Sequence, residues 1–230
     1  MRLEVPKDAR LEVKFVAPVH EIERMENWLR LHPGDFYTPF PDRWVNNIYF
    51  DNYDCSAYSE NISGVSYRSK LRYRWYGQAE YPDEGNLEIK LKRNLFGWKR
   101  RFKCSESPYS DGDRWADMRR KLAAKLGAEA KLWLNARPNP TILNRYYRQY
   151  FVTRDNRVRV TIDSRQTVFD QRYKSRPNVV YETNIPETMV VEVKFGRSDR
   201  DFGSQVIQRI PIRVSRNSKY VIGLKSMIRY

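Results

Sequence analysis

The chain has 230 residues, 43 Lys and Arg against 28 Asp and Glu, a net charge of +15, and 40% hydrophobic with 14% aromatic residues. That is material for a packed core in one sizeable domain, 1–230, and its positive excess calls for a polyanionic partner: nucleic acid, an anionic membrane surface or a phosphate-rich molecule. Two histidines, His20 and His32, leave little for Ser–His or Cys–His chemistry, and there is no glycine-rich phosphate loop, dinucleotide fingerprint, zinc spacing, signal-peptide core or membrane-length apolar run.

In chain order, RLEVKFVA (10–17) alternates Arg10, Glu12 and Lys14 with Leu11, Val13 and Phe15, which predicts a strand with one charged and one apolar face. EIERMENWLRL (21–31) has helical spacing, with Ile22, Met25 and Trp28 or Leu29 facing inward. WVNNIYFDN (44–52) returns to strand. YRSKLRYRWY (67–76) sets Arg68, Lys70, Arg72 and Arg74 on one face, where unpaired like charges would repel. GNLEIKLKRN (85–94) and GWKRRFKC (97–104) form a predicted hairpin: Glu88, Lys90 and Lys92 share one face, as do Lys99, Arg101 and Lys103, while Arg100 falls on the apolar side. Cys55 and Cys104 lie far apart and are expected to be reduced thiols.

Residues 113–134 are predicted helical with a break near Gly127. TILNRYYRQYFVT (141–153) and the following NRVRVTIDSRQTVFDQ read as strands, the second alternating Arg157, Arg159, Thr161 and Asp163 with Val158, Val160 and Ile162. MVVEVKFGR (189–197) places Glu192 and Lys194 together. Residues 199–209 are predicted helical, and a last helix begins near Asn217 or Ser218. The tyrosines of NRYYRQYF, apart from Tyr146, are expected on the outer wall, and RRKLAAK (119–125) on a solvated helix face or a docking surface.

Two architectures fit such strands. In a β-sandwich the apolar faces meet and the charged faces are wetted. In a closed barrel inward and outward positions alternate on every strand, and the charged faces line a lumen. The cationic bias and the recurring Glu-x-Lys, in Glu12–Lys14, Glu88–Lys90 and Glu192–Lys194, favour the barrel. The expected fold is therefore α+β: a closed antiparallel barrel of about eight strands forming a basic tunnel, with helices packed outside.

RLEVKF, NNIYFD, YRSKLRYRWYG, NLEIKLKRN, WKRRF, NRYYRQYF, VRVTID, VVEVKF and NSKY, in this order, resemble the triphosphate tunnel metalloenzymes and, within them, the VTC (vacuolar transporter chaperone) catalytic domain, a polyphosphate polymerase. The resemblance runs from about residue 9 to 226. It implies phosphate-binding cations at Lys14, Arg72, Arg74, Lys90, Lys99, Arg148, Arg159 and Lys219, with Tyr146 and Ser218 hydrogen-bonding the phosphate chain. It implies Glu192 as ligand to Mn²⁺ or Mg²⁺, with Glu12 or Glu88 as a possible second holder of the metal, while Lys70, Lys92, Arg101 and Lys194 share faces with the phosphate-binding cations and are possible additions to them.

Hydrolases and cyclases of that superfamily usually begin with Glu-x-Glu-x-Lys, whereas this chain has Arg10 first, removing a carboxylate that could help activate water. The function expected is ATP-dependent polyphosphate synthesis. Inorganic triphosphatase activity on the same barrel, or polyphosphate or nucleic-acid binding without turnover, are the alternatives. The partners expected are ATP and polyphosphate, with no nucleic acid. The location expected is cytoplasmic, any membrane partner being on another chain.

Overall fold

The computed structural model describes residues 4–107 and 110–227, so the first and last three residues of the expected domain lie outside the described residues. The strands are β1 (Arg10–Pro18), β2 (Phe36–Tyr37), β3 (Arg43–Asp51), β4 (Tyr67–Tyr76), β5 (Gly85–Arg93), β6 (Phe96–Cys104), β7 (Asn139–Thr153), β8 (Val158–Asp170) and β9 (Thr188–Phe195). The helices are α1 (Ile22–Leu31), α2 (Ser56–Ile62), α3 (Trp115–Lys125), α4 (Ala128–Ala136), α5 (Arg200–Gln208) and α6 (Lys219–Lys225). The expected helix over 113–134 is thus two helices, interrupted at Leu126 and Gly127, both in extended backbone.

One antiparallel sheet contains all nine strands, in the order β2-β7-β3-β4-β5-β6-β1-β9-β8. A further pairing of β7 with β8, from Ile142 opposite Asp170 to Val152 opposite Arg159, joins its far ends. Eight strands therefore form a ring, and the short β2 hangs from one end of β7.

The apolar faces are covered by helices, not by a second sheet. Outside β3, β4 and β5, the buried Ile48, Leu71, Tyr73, Trp75, Leu87 and Ile89 pack against Trp115, Met118 and Leu122 of α3 and Leu134 of α4. Outside β1, β8 and β9, the buried Phe15, Val160, Ile162, Val191 and Val193 meet Met25 and Leu29 of α1 and Val206 of α5. Because strand side chains alternate, covering the outside with the apolar set turns the charged set toward the ring interior.

One end of the ring is occupied by α6. Its Tyr220 and Leu224 pack with Tyr49, Ile142 and Val168, and the Tyr220 hydroxyl donates to Asp51 Oδ2 at 2.6 Å. A Cβ at Gly223 would lie 2.9 Å from Ile142 Cδ1 and 3.1 Å from Val168 Cγ1, so a larger residue in this close seat would have to displace those side chains. Asp51 also accepts from the Ala57 backbone of α2 through Oδ1, tying both helices to the end of β3.

Candidate functional site

The segment entering α6 reaches three separate strands. Lys14 of β1 donates to the Asn217 carbonyl at 3.2 Å, Lys70 of β4 to Ser218 Oγ at 2.6 Å, and Lys219 itself to Asp163 of β8 at 2.5 Å. Ser218 Oγ also accepts from Val221 N, capping the helix. Cations or carboxylates of β1, β4 and β8 thus meet at the start of α6.

Four inward carboxylates organise the cations. Glu88 accepts from Arg72 at 2.6 and 3.0 Å, from Arg101 at 3.1 Å and from Lys99 at 3.3 Å, with Arg74 at 3.8 Å. Asp163 takes Arg148 in a bidentate pair, 2.5 and 2.7 Å, besides Lys219. Glu12 accepts from Lys90 at 3.0 Å and pairs with Lys14 at 3.1 Å. Glu192 pairs with Lys194 at 2.9 Å and Lys14 at 3.5 Å, with Arg148 at 3.7 Å. Each carboxylate thus serves at least two cations. Cross-strand register explains the groupings: Arg72 faces Glu88 across β4–β5, Glu88 faces Arg101 across β5–β6, and Lys14 faces Glu192 across β1–β9.

A buried polar tie aligns the remaining groups. Arg74 Nε donates to Asn47 Oδ1 at 2.8 Å and its Nη2 to the Tyr146 hydroxyl at 2.9 Å, while Asn47 Nδ2 donates to Asn144 Oδ1 at 2.8 Å. Arg148 and Lys219 lie 5.2 and 4.6 Å from the Tyr146 ring centre. Arg159 and Lys194, together with Arg10, line a cavity of about 430 Å³ at the end of the ring remote from α6. Among the described residues, Arg159 and Lys92 have no carboxylate within 4.0 Å.

Protonation follows this crowding. Burial would raise all four carboxylates, but their cations more than offset it: Asp163 is held at about 2 by Arg148 and Lys219, and Glu88 and Glu192 lie well below the usual range. Glu12 is lowered too, burial and the neighbouring Glu192 being outweighed by Lys90 and Lys14. Burial likewise works against the Tyr146 phenol, which Arg148 and Arg74 bring below its ordinary value. The lysines divide. Despite burial, Lys14 is raised by Glu12 and Glu192. Lys90 falls to about 8 and Lys99 to about 7, burial being the main cause and only partly offset by Glu12 and Glu88 respectively. Lys70, buried beside Lys90 and Lys14, is well below its ordinary value.

By strand parity the expected strand residues share the inward face, Lys99, Arg101 and Arg159 being exposed there, and Arg100 lies on the other face on Glu129 of α4 at 2.6 Å. Asp163, Asn47 and Asn144 join the site without being among the residues expected from sequence. Asp163 was findable, since it shares the parity of Arg159 on β8; the asparagines have no signal apart from their partners. Tyr150 departs from expectation. Tyr147 packs on Trp44, but Tyr150 lies on the face of Tyr146 and Arg148, because strand alternation carries it inward with them. The histidines are peripheral: His20 is exposed, and His32 Nδ1 accepts from Gly34 N at 2.9 Å in a turn.

Among the described residues no group of three or more His, Cys, Asp or Glu side chains is disposed to hold a metal ion. Glu12 and Glu192 are near neighbours on adjacent strands. Two hard oxygen donors suit Mg²⁺ or Mn²⁺, which commonly keep one or two carboxylates and take further oxygens from phosphate. The donor set fits such an ion.

A ring of antiparallel strands with a cation-rich interior, covered at one end by a helix, is consistent with a tunnel fold. The chain belongs to the VTC domain family, which matches residues 9–228. No curated protein matches it significantly. Among solved structures it is similar to a candidate adenylate cyclase from Vibrio parahaemolyticus, with a TM-score of 0.53 and 10% identity over 94% of this chain and 98% of that one. It is also similar to the PH1819 protein of Pyrococcus horikoshii OT3, with a TM-score of 0.48 and 10% identity over 95% and 99% of the two chains. At such identity the first likeness speaks for the fold alone. No helix of the described residues is long and apolar enough to cross a membrane.

Proposed function

We propose that this chain is a metal-dependent polyphosphate polymerase that transfers the γ-phosphoryl group of ATP to a growing polyphosphate chain inside a basic tunnel formed by the strand ring. The observation that carries the reading is the convergence of cations from β1, β4, β5, β6, β7, β9 and α6 on only four inward carboxylates. Such an interior is incomplete without an anion, and a linear phosphate chain presents charge at regular intervals to a row of cations.

Phosphoryl transfer needs positioning and neutralisation more than covalent help from the protein. Arg72, Arg74, Arg148 and Arg159 offer forked donors that stay charged at any relevant pH. Lys14, Lys90, Lys99 and Lys219 add point charges, Tyr146 and Ser218 add hydrogen bonds, and Lys70, Lys92, Arg101 and Lys194 extend the same faces. Glu192, with Glu12, would hold Mn²⁺ or Mg²⁺, which supplies charge neutralisation on phosphate oxygens when bound. Glu88 is better suited to orienting Arg72 and Arg101. The terminal phosphate oxygen of the chain bonds to the γ-phosphorus as the bond to ADP breaks. That oxygen is already anionic, so no histidine base is required.

Hydrolysis of triphosphate is the second reading, favoured by the carboxylate of Glu12 beside Glu192 and disfavoured by Arg10 in place of a further one. ATP and polyphosphate are the partners in the first reading; a membrane partner would be a separate chain. Incubation with ATP and Mn²⁺ followed by separation of products by chain length distinguishes the two. Phosphate chains longer than three units, formed with ADP, support the polymerase; ADP and orthophosphate with no longer phosphate chain support the hydrolase.

A further inference from the structure

At the end of the ring remote from α6, the rows that carry the inward cations continue into aromatic residues. Tyr76 follows Arg74 by two residues on β4, and Tyr150 follows Arg148 by two on β7, so both rings share the inward face. Arg43, opposite Arg148 in the β3–β7 register, fills the space between them. Its guanidinium carbon lies 4.0 Å from the Tyr76 ring centre, 5.1 Å from that of Tyr150 and 5.9 Å from that of Phe40, and its Nε donates to the Tyr150 hydroxyl at 3.1 Å. Among the described residues no carboxylate lies within 4.0 Å of it. Tyr76 and Phe40 are 40% and 52% exposed, so aromatic surface remains open beside a flat cation.

A planar cation braced on aromatic rings, one step outside a row of phosphate-binding arginines, is suited to a ligand with a flat group at one end and phosphates at the other. We propose that Arg43, Tyr76 and Phe40 form a nucleobase subsite at the mouth of the ring, stacking the base of a nucleoside triphosphate whose phosphates reach inward to Arg74 and Arg148. The inference rests on the proposed use of ATP and adds the means by which its nucleoside end is held. Two strand residues span about 6.6 Å, a gap that a ribose can bridge between the first phosphate and the base. Stacking on aromatic and guanidinium planes tolerates any base, so the subsite selects nucleotide over bare phosphate and discriminates weakly among bases.

The test compares β,γ-imido ATP with inorganic tripolyphosphate, both with Mg²⁺, by calorimetry on the wild-type chain, Tyr76→Leu and Tyr76→Phe. Loss of the ring in Tyr76→Leu should weaken the nucleotide on the order of tenfold and leave tripolyphosphate unchanged, while Tyr76→Phe should bind both as the wild type does. An equal effect of Tyr76→Leu on both ligands, or none on either, overturns the subsite alone. Failure of the wild-type chain to bind tripolyphosphate overturns the proposed function as well. If Tyr76→Leu does not fold, photolabelling of the wild type with 8-azido-ATP decides. Label on peptides containing Phe40, Tyr76 or Tyr150 supports the subsite, and label confined elsewhere refutes it.

Discussion

Replacing Arg72 with Ala removes two hydrogen bonds to Glu88 and one to the Tyr49 hydroxyl from inside the ring. Both members of the Arg72–Glu88 pair are buried, their side chains 11% and 2% exposed. Breaking a buried pair by removing one partner costs about 3–5 kcal/mol, and the lower end applies because Arg101, Lys99 and Arg74 still face Glu88. Arg100→Ala removes only the Arg100–Glu129 pair, whose side chains are 46% and 38% exposed, and should cost about 0–1 kcal/mol. For turnover, each lost charge-assisted contact to phosphate is worth about 1.5–3 kcal/mol, or roughly tenfold to a hundredfold. Arg72→Lys should also be impaired, because an ammonium cannot reproduce a forked contact. Urea unfolding and ATP-dependent phosphate-polymer synthesis, at one salt concentration and below every melting transition, check both figures. Equal activity in Arg72→Ala and Arg100→Ala would mean that the charged faces are not the working ones.

Glu192→Gln should keep the circular dichroism spectrum and lose activity across a titration of Mn²⁺, since the amide preserves shape without the charge that holds a divalent ion; wild-type turnover at low Mn²⁺ would move the metal ligand elsewhere. Tripolyphosphate should raise the melting temperature, and the rise should shrink with added salt; an unchanged melting temperature at saturating ligand in low salt would contradict an anion-seeking interior. The lowered Lys90 and Lys99 make pH informative: with values of about 8 and 7 when folded and an ordinary value of 10.5 when unfolded, the unfolded chain binds more protons from about pH 7 to about 10.5. Stability without ligand should therefore rise with pH in that window, as followed by urea midpoints. Binding of phosphate should take up protons there and weaken as pH rises, as read by calorimetry in buffers of different ionisation heat.

Much of the inward set was legible because strand parity is local. Glu88, Lys90 and Lys92, or Arg72 and Arg74, are fixed on one face by spacing alone, whichever strands lie beside them. Which face is inside is not local. It depends on α3 and α4 covering Leu71 and Leu87, and on α1 and α5 covering Val160 and Val193. Ring closure depends on the long-range β7–β8 pairing, which no short window of sequence contains. The two-residue β2 and the seven-residue α2 escaped because they are too short to show a period. Helix α2 also follows Cys55 in left-handed backbone, and its first N–H groups go to Asn52 and Asp51, three and four residues before the cap position, and not to Cys55 itself. Glu88 illustrates the limit for chemistry: sequence places it inward but cannot tell a metal ligand from a counter-ion, a distinction made by three cations within 3.3 Å.

The most direct test of the central claim is a crystal structure grown with tripolyphosphate and Mn²⁺. The account predicts phosphate density inside the ring, within hydrogen-bond distance of Arg72 or Arg74 on β4, Arg148 on β7 and Lys219 on α6. Phosphate bound only on the outer surface, with the interior ion pairs of Glu88 and Asp163 undisturbed and no anion among them, would contradict it.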